Sequence, residues 1–167
     1  TCVDIPDATT EISESAFNGC DLLETVSIGK GITTIGNSAF ESCDALKSVV
    51  ISSEAPLKYI GESAFYNCYF LTSIEIPNSV TAIGDWAFYN CSSLTSIEIP
   101  NSVTSIDYHA FDHCSNLTSI DFGENSQLTS IGNYAFHYCE NLTSIELPSG
   151  VTSIGNYAFH YCENLTS

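Results

Sequence analysis

Arginine and methionine are absent from this chain, and its only lysines, Lys30, Lys47 and Lys58, all fall in the first half of the 167 residues. Against them stand 20 Asp and Glu, giving a net charge of -17. A phosphate backbone is gripped mainly by Lys and Arg, so this balance excludes nucleic acid as a partner. It disfavours an anionic membrane surface for the same reason. No apolar run approaches the ~20 residues of a spanning helix, so no membrane insertion is expected of this segment. What is present is apolar material: 44% of the residues, enough for a core despite the charge.

That material is periodic. The pattern A-F-x-x-C ends at Cys20, Cys43, Cys68, Cys91, Cys114, Cys139 and Cys162, at intervals of 23 or 25 residues. A fixed period in this range signals stacked repeats. In register with the cysteines run an Ile column (Ile12 to Ile154), the Ala and Phe columns and a Leu column (Leu23 to Leu165). Two further apolar columns lie one residue apart, Val26 to Ile145 and Ile28 to Leu147. The unit reads I-x-x-x-A-F-x-x-C-x-x-L-x-x-I-x-I followed by a turn.

Apolar residues separated by one position match the two-residue alternation of a strand. Segments such as Ser96–Ile99 are therefore expected to be strands, one per repeat, joined in a parallel sheet. Pro77, Pro100 and Pro148 should stop that ladder. The Gly column (Gly36, Gly61, Gly84, Gly132, Gly155) predicts a tight turn at positive φ, with Asp107 as a tolerated replacement. The I, A, F and C positions at offsets 0, 4, 5 and 8 predict a short helix or 3-10 turn. Extensions of two residues at Ser52–Leu57 and Gly123–Leu128 predict bulges at one edge.

Seven of the eight cysteines share one repeat position. They are expected to be a column of buried free thiols, because stacked parallel positions rarely offer the converging Cβ vectors of a disulfide. Cys2 stands outside the column.

The string L-T-S-I-E-I-P-N-S-V-T-S-I-x-x-x-A-F-x-x-C resembles the BspA-like leucine-rich repeat, also called the Treponema pallidum type. The resemblance spans essentially residues 1–167 as a single domain of about seven 23–25-residue repeats. It implies an α/β solenoid: a right-handed leucine-rich-repeat superhelix with a parallel β-sheet on the concave face and short helical or 3-10 turns on the convex side. It also implies a cell-surface or extracellular location and a role in adhesion or in binding host or matrix proteins. No catalytic residues come with it. Neither end shows a polar capping repeat, so a fragment of a longer array is expected. The segment Ser130–Ser144 recurs letter for letter at Ser153–Ser167, as in recent duplication.

On the concave face the outward strand residues include Glu75, Glu98, Asp121 and Glu146, preceded by Ser73, Ser96, Ser119 and Ser144. In-register parallel strands lie about 4.8 Å apart, so the acids should form a carboxylate ladder. Such a face suits a protein partner with a basic patch. It lacks the shaped loop of ~6–8 oxygen ligands that Ca²⁺ prefers, so no metal or cofactor is expected there. Convex positions carry Trp86, Tyr89, Tyr108, Tyr134 and Tyr138, a secondary aromatic surface or a set that stacks between turns. His109 and His113 would share a helix face, but the spacing supplies no third ligand. The serines and the column cysteines are copied repeat positions, so no nucleophile is singled out and no enzyme is expected. The reading is a non-enzymatic interaction or adhesion module; the alternative is a structural spacer with no dedicated ligand.

Overall fold

The computed structural model describes residues 1–166, so Ser167 of the expected domain lies outside them. Each repeat forms one coil of a parallel β-solenoid with two strand segments and one side made of turns. In chain order the strands are β1 (Cys2–Ile5), β2 (Glu11–Ile12), β3 (Thr25–Ile28), β4 (Thr34–Ile35), β5 (Ser48–Ile51), β6 (Tyr59–Ile60) and β7 (Ser73–Glu75). They continue as β8 (Ala82–Ile83), β9 (Ser96–Glu98), β10 (Ser105–Ile106), β11 (Ser119–Asp121), β12 (Ser130–Ile131) and β13 (Ser153–Ile154).

The longer strands are the expected ones, and they pair in parallel as β1-β3-β5-β7 and β9-β11. Prolines follow some of the strands where the ladder shortens. In the early coils the Gly29 N–H donates to the Ile5 carbonyl and the Ser52 N–H to Ile28, both at 2.9 Å, prolonging the ladder past the strand. The equivalent positions in the next coils are Pro77 and Pro100, which have no N–H to give. There the strands shrink to three residues and β7 no longer bonds β9.

A second sheet, absent from the sequence reading, runs through seven coils in the order β13-β12-β10-β8-β6-β4-β2. Each of its strands has two residues and ends on the Ile column. The Gly column closes this ladder, as where the Gly36 N–H donates to the Ile12 carbonyl at 2.8 Å. The expected positive φ is not found at these glycines. Close approach is the reason for glycine instead: a Cβ at Gly36 would lie 2.6 Å from the Glu14 nitrogen of the preceding coil.

The expected helical or 3-10 turns are also corrected: among the described residues there is no helix. The segment leading to each Cys is a chain of tight turns. Its left-handed residues are those just before Ala (Ser15, Ser38, Ser63, Trp86, His109, Tyr134, Tyr157) and just before Cys (Gly19, Ser42, Asn67, Asn90, His113, Tyr138, Tyr161), with φ between 52° and 68°. Each turn closes with a bond to the residue three positions back, such as Cys20 N–H to the Phe17 carbonyl at 3.2 Å. A positive φ at the third residue of such a turn is the type II pattern. The left-handed residue then aims its own N–H along the stack, as from His113 to the His137 carbonyl at 2.8 Å. A helix would have turned those amides inward along its own axis.

The core is a set of continuous columns. Successive Phe rings from Phe17 to Phe159 stack at centroid distances of 5.0–5.4 Å with planes within 9°. These separations lie within the range in which aromatic pairs attract. Of the seven column cysteines, all free, Cys43, Cys68, Cys91, Cys114 and Cys139 are fully buried as expected, whereas Cys20 and Cys162 are only partly buried. Each fully buried thiol donates to the Phe carbonyl of the preceding coil, from Cys43 to Phe17 at 3.1 Å through Cys139 to Phe111 at 3.3 Å. Burial raises their pKa values, that of Cys43 to about 11. A thiolate is the reactive form, so these cysteines are inert packing units with one polar duty.

Candidate functional site

The strand face displays the predicted residues in the open. Ser73, Glu75, Ser96, Glu98, Ser119, Asp121, Ser144 and Glu146 are all exposed. They do not form one unbroken ladder. Glu98 and Asp121 are register partners on β9 and β11. Glu75 instead pairs with Val50, and Ser144–Leu147 is not a strand. Like charges directly opposite each other destabilise a pair. In the pair that persists, the Asp121 carboxylate accepts from the Gly123 N–H at 2.8 Å, which draws its charge aside.

Each two-residue extension walls a groove on this face. The Gly123–Leu128 extension borders a groove of about 560 Å³, together with Ser119, Asp121, Ser144 and Glu146. A smaller groove of about 310 Å³ lies beside the break between β7 and β9, bounded by Ser53 of the first extension, Glu75 and Glu98. Both combine carboxylates with an apolar floor, Ile120 and Phe122 in one and Ile74 and Ile76 in the other. Threonine columns serve the stack rather than a ligand: the Thr72 hydroxyl donates to the Lys47 carbonyl at 3.0 Å and Thr118 to Thr95 at 2.9 Å.

On the turn side the predicted aromatics stack between coils and are partly buried. Tyr66 lies on Tyr89 at 4.7 Å, Trp86 meets Tyr108 edge-on at 5.0 Å, and Tyr138 lies on Tyr161 at 4.5 Å. Among them is a polar cluster that spacing did not disclose. Asp112 is the one buried charged side chain among the described residues, 2% exposed. One of its oxygens meets His109 Nδ1 at 2.5 Å; the other meets His113 Nδ1 at 2.7 Å and His137 Nδ1 at 3.1 Å. Helical spacing presented His109 and His113 as an isolated pair. The turns fold them back on the carboxylate between them, and His137 arrives from the next coil. The available signal was a break in the repeat: the two residues between Phe and Cys are Tyr-Asn in the two coils before, Asp-His here, and His-Tyr in the two coils after.

Burial lowers the pKa of His137, with the neighbouring Asp112 charge opposing that effect. Burial raises that of Tyr89 and of Asp107.

A parallel solenoid with an Ile/Leu/Phe core and one main strand per coil belongs to the leucine-rich-repeat class. Within that class the profile of the BspA type leucine rich repeat region matches in six copies over residues 1–91 and 58–167, and the chain belongs to this family. A leucine-rich repeat protein from Bacteroides ovatus superimposes with a TM-score of 0.88 at 32% identity, over 98% of this chain and 44% of that one. A leucine rich cell surface protein from Faecalibacterium prausnitzii gives 0.87 at 34% identity, over 99% of this chain and 46% of that one. The leucine rich repeat protein of T. pallidum gives 0.67 at 26% identity, over 84% and 77%. The chain thus spans less than half the length of the first two. Comparison with curated proteins yields no match.

Proposed function

We propose that this chain is a non-enzymatic protein-binding segment displayed at a cell surface, capturing a host or matrix protein with a basic patch through its acidic strand face. The observation that carries the reading is the exposed set Glu75, Glu98, Asp121 and Glu146, flanked by two loop-walled grooves with apolar floors. Carboxylates on the rim steer a basic partner, and the apolar floors offer area for an anchoring side chain. Surface display is supported by the F. prausnitzii relative, which is named a cell surface protein.

A spacer without a ligand is the second reading, favoured by the letter-for-letter recurrence of Ser130–Ser144 at Ser153–Ser167. Charge reversal separates the two. The pair Glu98→Lys and Asp121→Lys should leave the circular dichroism spectrum unchanged and weaken capture of basic matrix proteins by more than about tenfold at low salt, since rim charges act on encounter and salt dependence. Capture that is unaffected by both the reversal and added salt supports the spacer.

A further inference from the structure

We propose that Asp112, His113 and His137 form a binding site for a borderline divalent transition-metal ion such as Zn²⁺, with His109 holding the carboxylate from its other oxygen. The ligand atoms of the three residues lie within 4.8 Å of one another. An ion about 2.0–2.1 Å from each ligand in tetrahedral array separates them by about 3.3 Å. The gaps from the Asp112 oxygen, 2.7 Å to His113 and 3.1 Å to His137, therefore need to open by only about 0.6 and 0.2 Å. Binding replaces two N–H···O bonds with two N–metal bonds, and each ring moves its proton to Nε2. Two imidazoles and one carboxylate select a zinc-like ion over Ca²⁺ or Mg²⁺, which take oxygen shells.

The surroundings have the features of a metal site. His109 is clamped between Trp86 and Tyr134, stacked on them at 5.8 and 4.7 Å, and so fixes Asp112. His137 stacks on His160 at 5.4 Å and His113 leans on Tyr138 at 4.6 Å, fixing both ring planes. Such outer contacts orient metal ligands. The His113 side chain is 41% exposed, which provides the entry path. A net charge of -17 draws cations toward the chain.

The test is calorimetric titration of Zn²⁺ into the Cys2→Ser variant, with excess Ca²⁺ to occupy the exposed carboxylates. One equivalent should bind. His113→Gln and His137→Gln should each weaken it at least about tenfold, and His109→Ala, acting through Asp112, about tenfold. Glu98→Gln with Asp121→Asn should change nothing. Co²⁺ in place of Zn²⁺ should show d–d bands of an N/O tetrahedral site and no thiolate charge-transfer band. Absence of a saturable site, equal affinity in the His113→Gln/His137→Gln double variant, or a thiolate band overturns the proposal. Circular dichroism on every variant separates lost ligands from lost fold.

Discussion

The first three coils and the later ones share a core and the second sheet, and differ on the main strand face and the turn side. Early strands β1, β3 and β5 have four residues, pair without interruption and point Asp4, Ser27 and Val50 outward. Later strands have three or fewer residues, are cut by proline and point acids outward. On the turn side, Asn18-Gly19 and Glu41-Ser42 give way to Asp112-His113, His137-Tyr138 and His160-Tyr161. Yet the Phe stack runs from Phe17 to Phe159 with hardly any change in spacing. Stability and surface are therefore set by different columns. Stacking energy sits in positions that do not vary, and the faces are free to take on charge or aromatic rings.

If the two halves stand on one core, an insult to that core should take both together. Alkali provides the largest. Cys68, Cys91, Cys114 and Cys139 have raised pKa values in the fold, whereas an unfolded thiol ionises near 8.5. The native state keeps its protons while the unfolded state sheds them, so stability is intact below about pH 8.5 and falls as pH rises further. Each thiol contributes about 1.4 kcal/mol per pH unit, or about 5–6 kcal/mol for the four. Urea midpoints measured from pH 8 to 11 should drop steeply, and a flat profile would contradict the thiol column. Next, Phe88→Ala at the centre of the stack should cost about 3–5 kcal/mol in a single cooperative transition. Two transitions would show that the halves fold apart. The smallest effect is local. Pro100→Ser should return an N–H to the interrupted sheet, adding about 0.5–1.5 kcal/mol of hydrogen bonding against about 0.4–1 kcal/mol of unfolded-chain entropy. Its readout is a newly protected amide at position 100 in hydrogen exchange; rapid exchange there would mean proline is not what divides the sheet.

Much of this architecture was legible from spacing. The apolar columns gave the coil, its strand face and the buried thiols, because identical positions must face the same way in a stack. The turn side was misread for a physical reason. Ile, Ala, Phe and Cys at offsets 0, 4, 5 and 8 imitate a helix face, but two-residue strands ending on Ile carry too little alternation to register as a sheet. The left-handed residues also escaped notice, since they are Trp86, Tyr134 and Tyr157 as well as Ser and Asn. Bulky side chains are poor advertisements for positive φ. Asp112 was hidden because its partners are joined through a turn and a neighbouring coil, and neither distance follows a one-dimensional motif.

The direction of the bonds between coils has a consequence for how such a protein changes length. Turn-side amides donate toward the following coil, as from Phe40 to the Ala64 carbonyl at 2.8 Å, while thiols and threonine hydroxyls donate toward the preceding one. On the turn side each coil hands its successor the same donors and acceptors it received. An inserted copy meets two matching surfaces and needs no new compromise with its neighbours. Unequal recombination can thus lengthen or shorten the array by whole coils at almost constant energy per coil, and reach becomes a trait that selection adjusts in steps of one repeat, about 4.8 Å at a time.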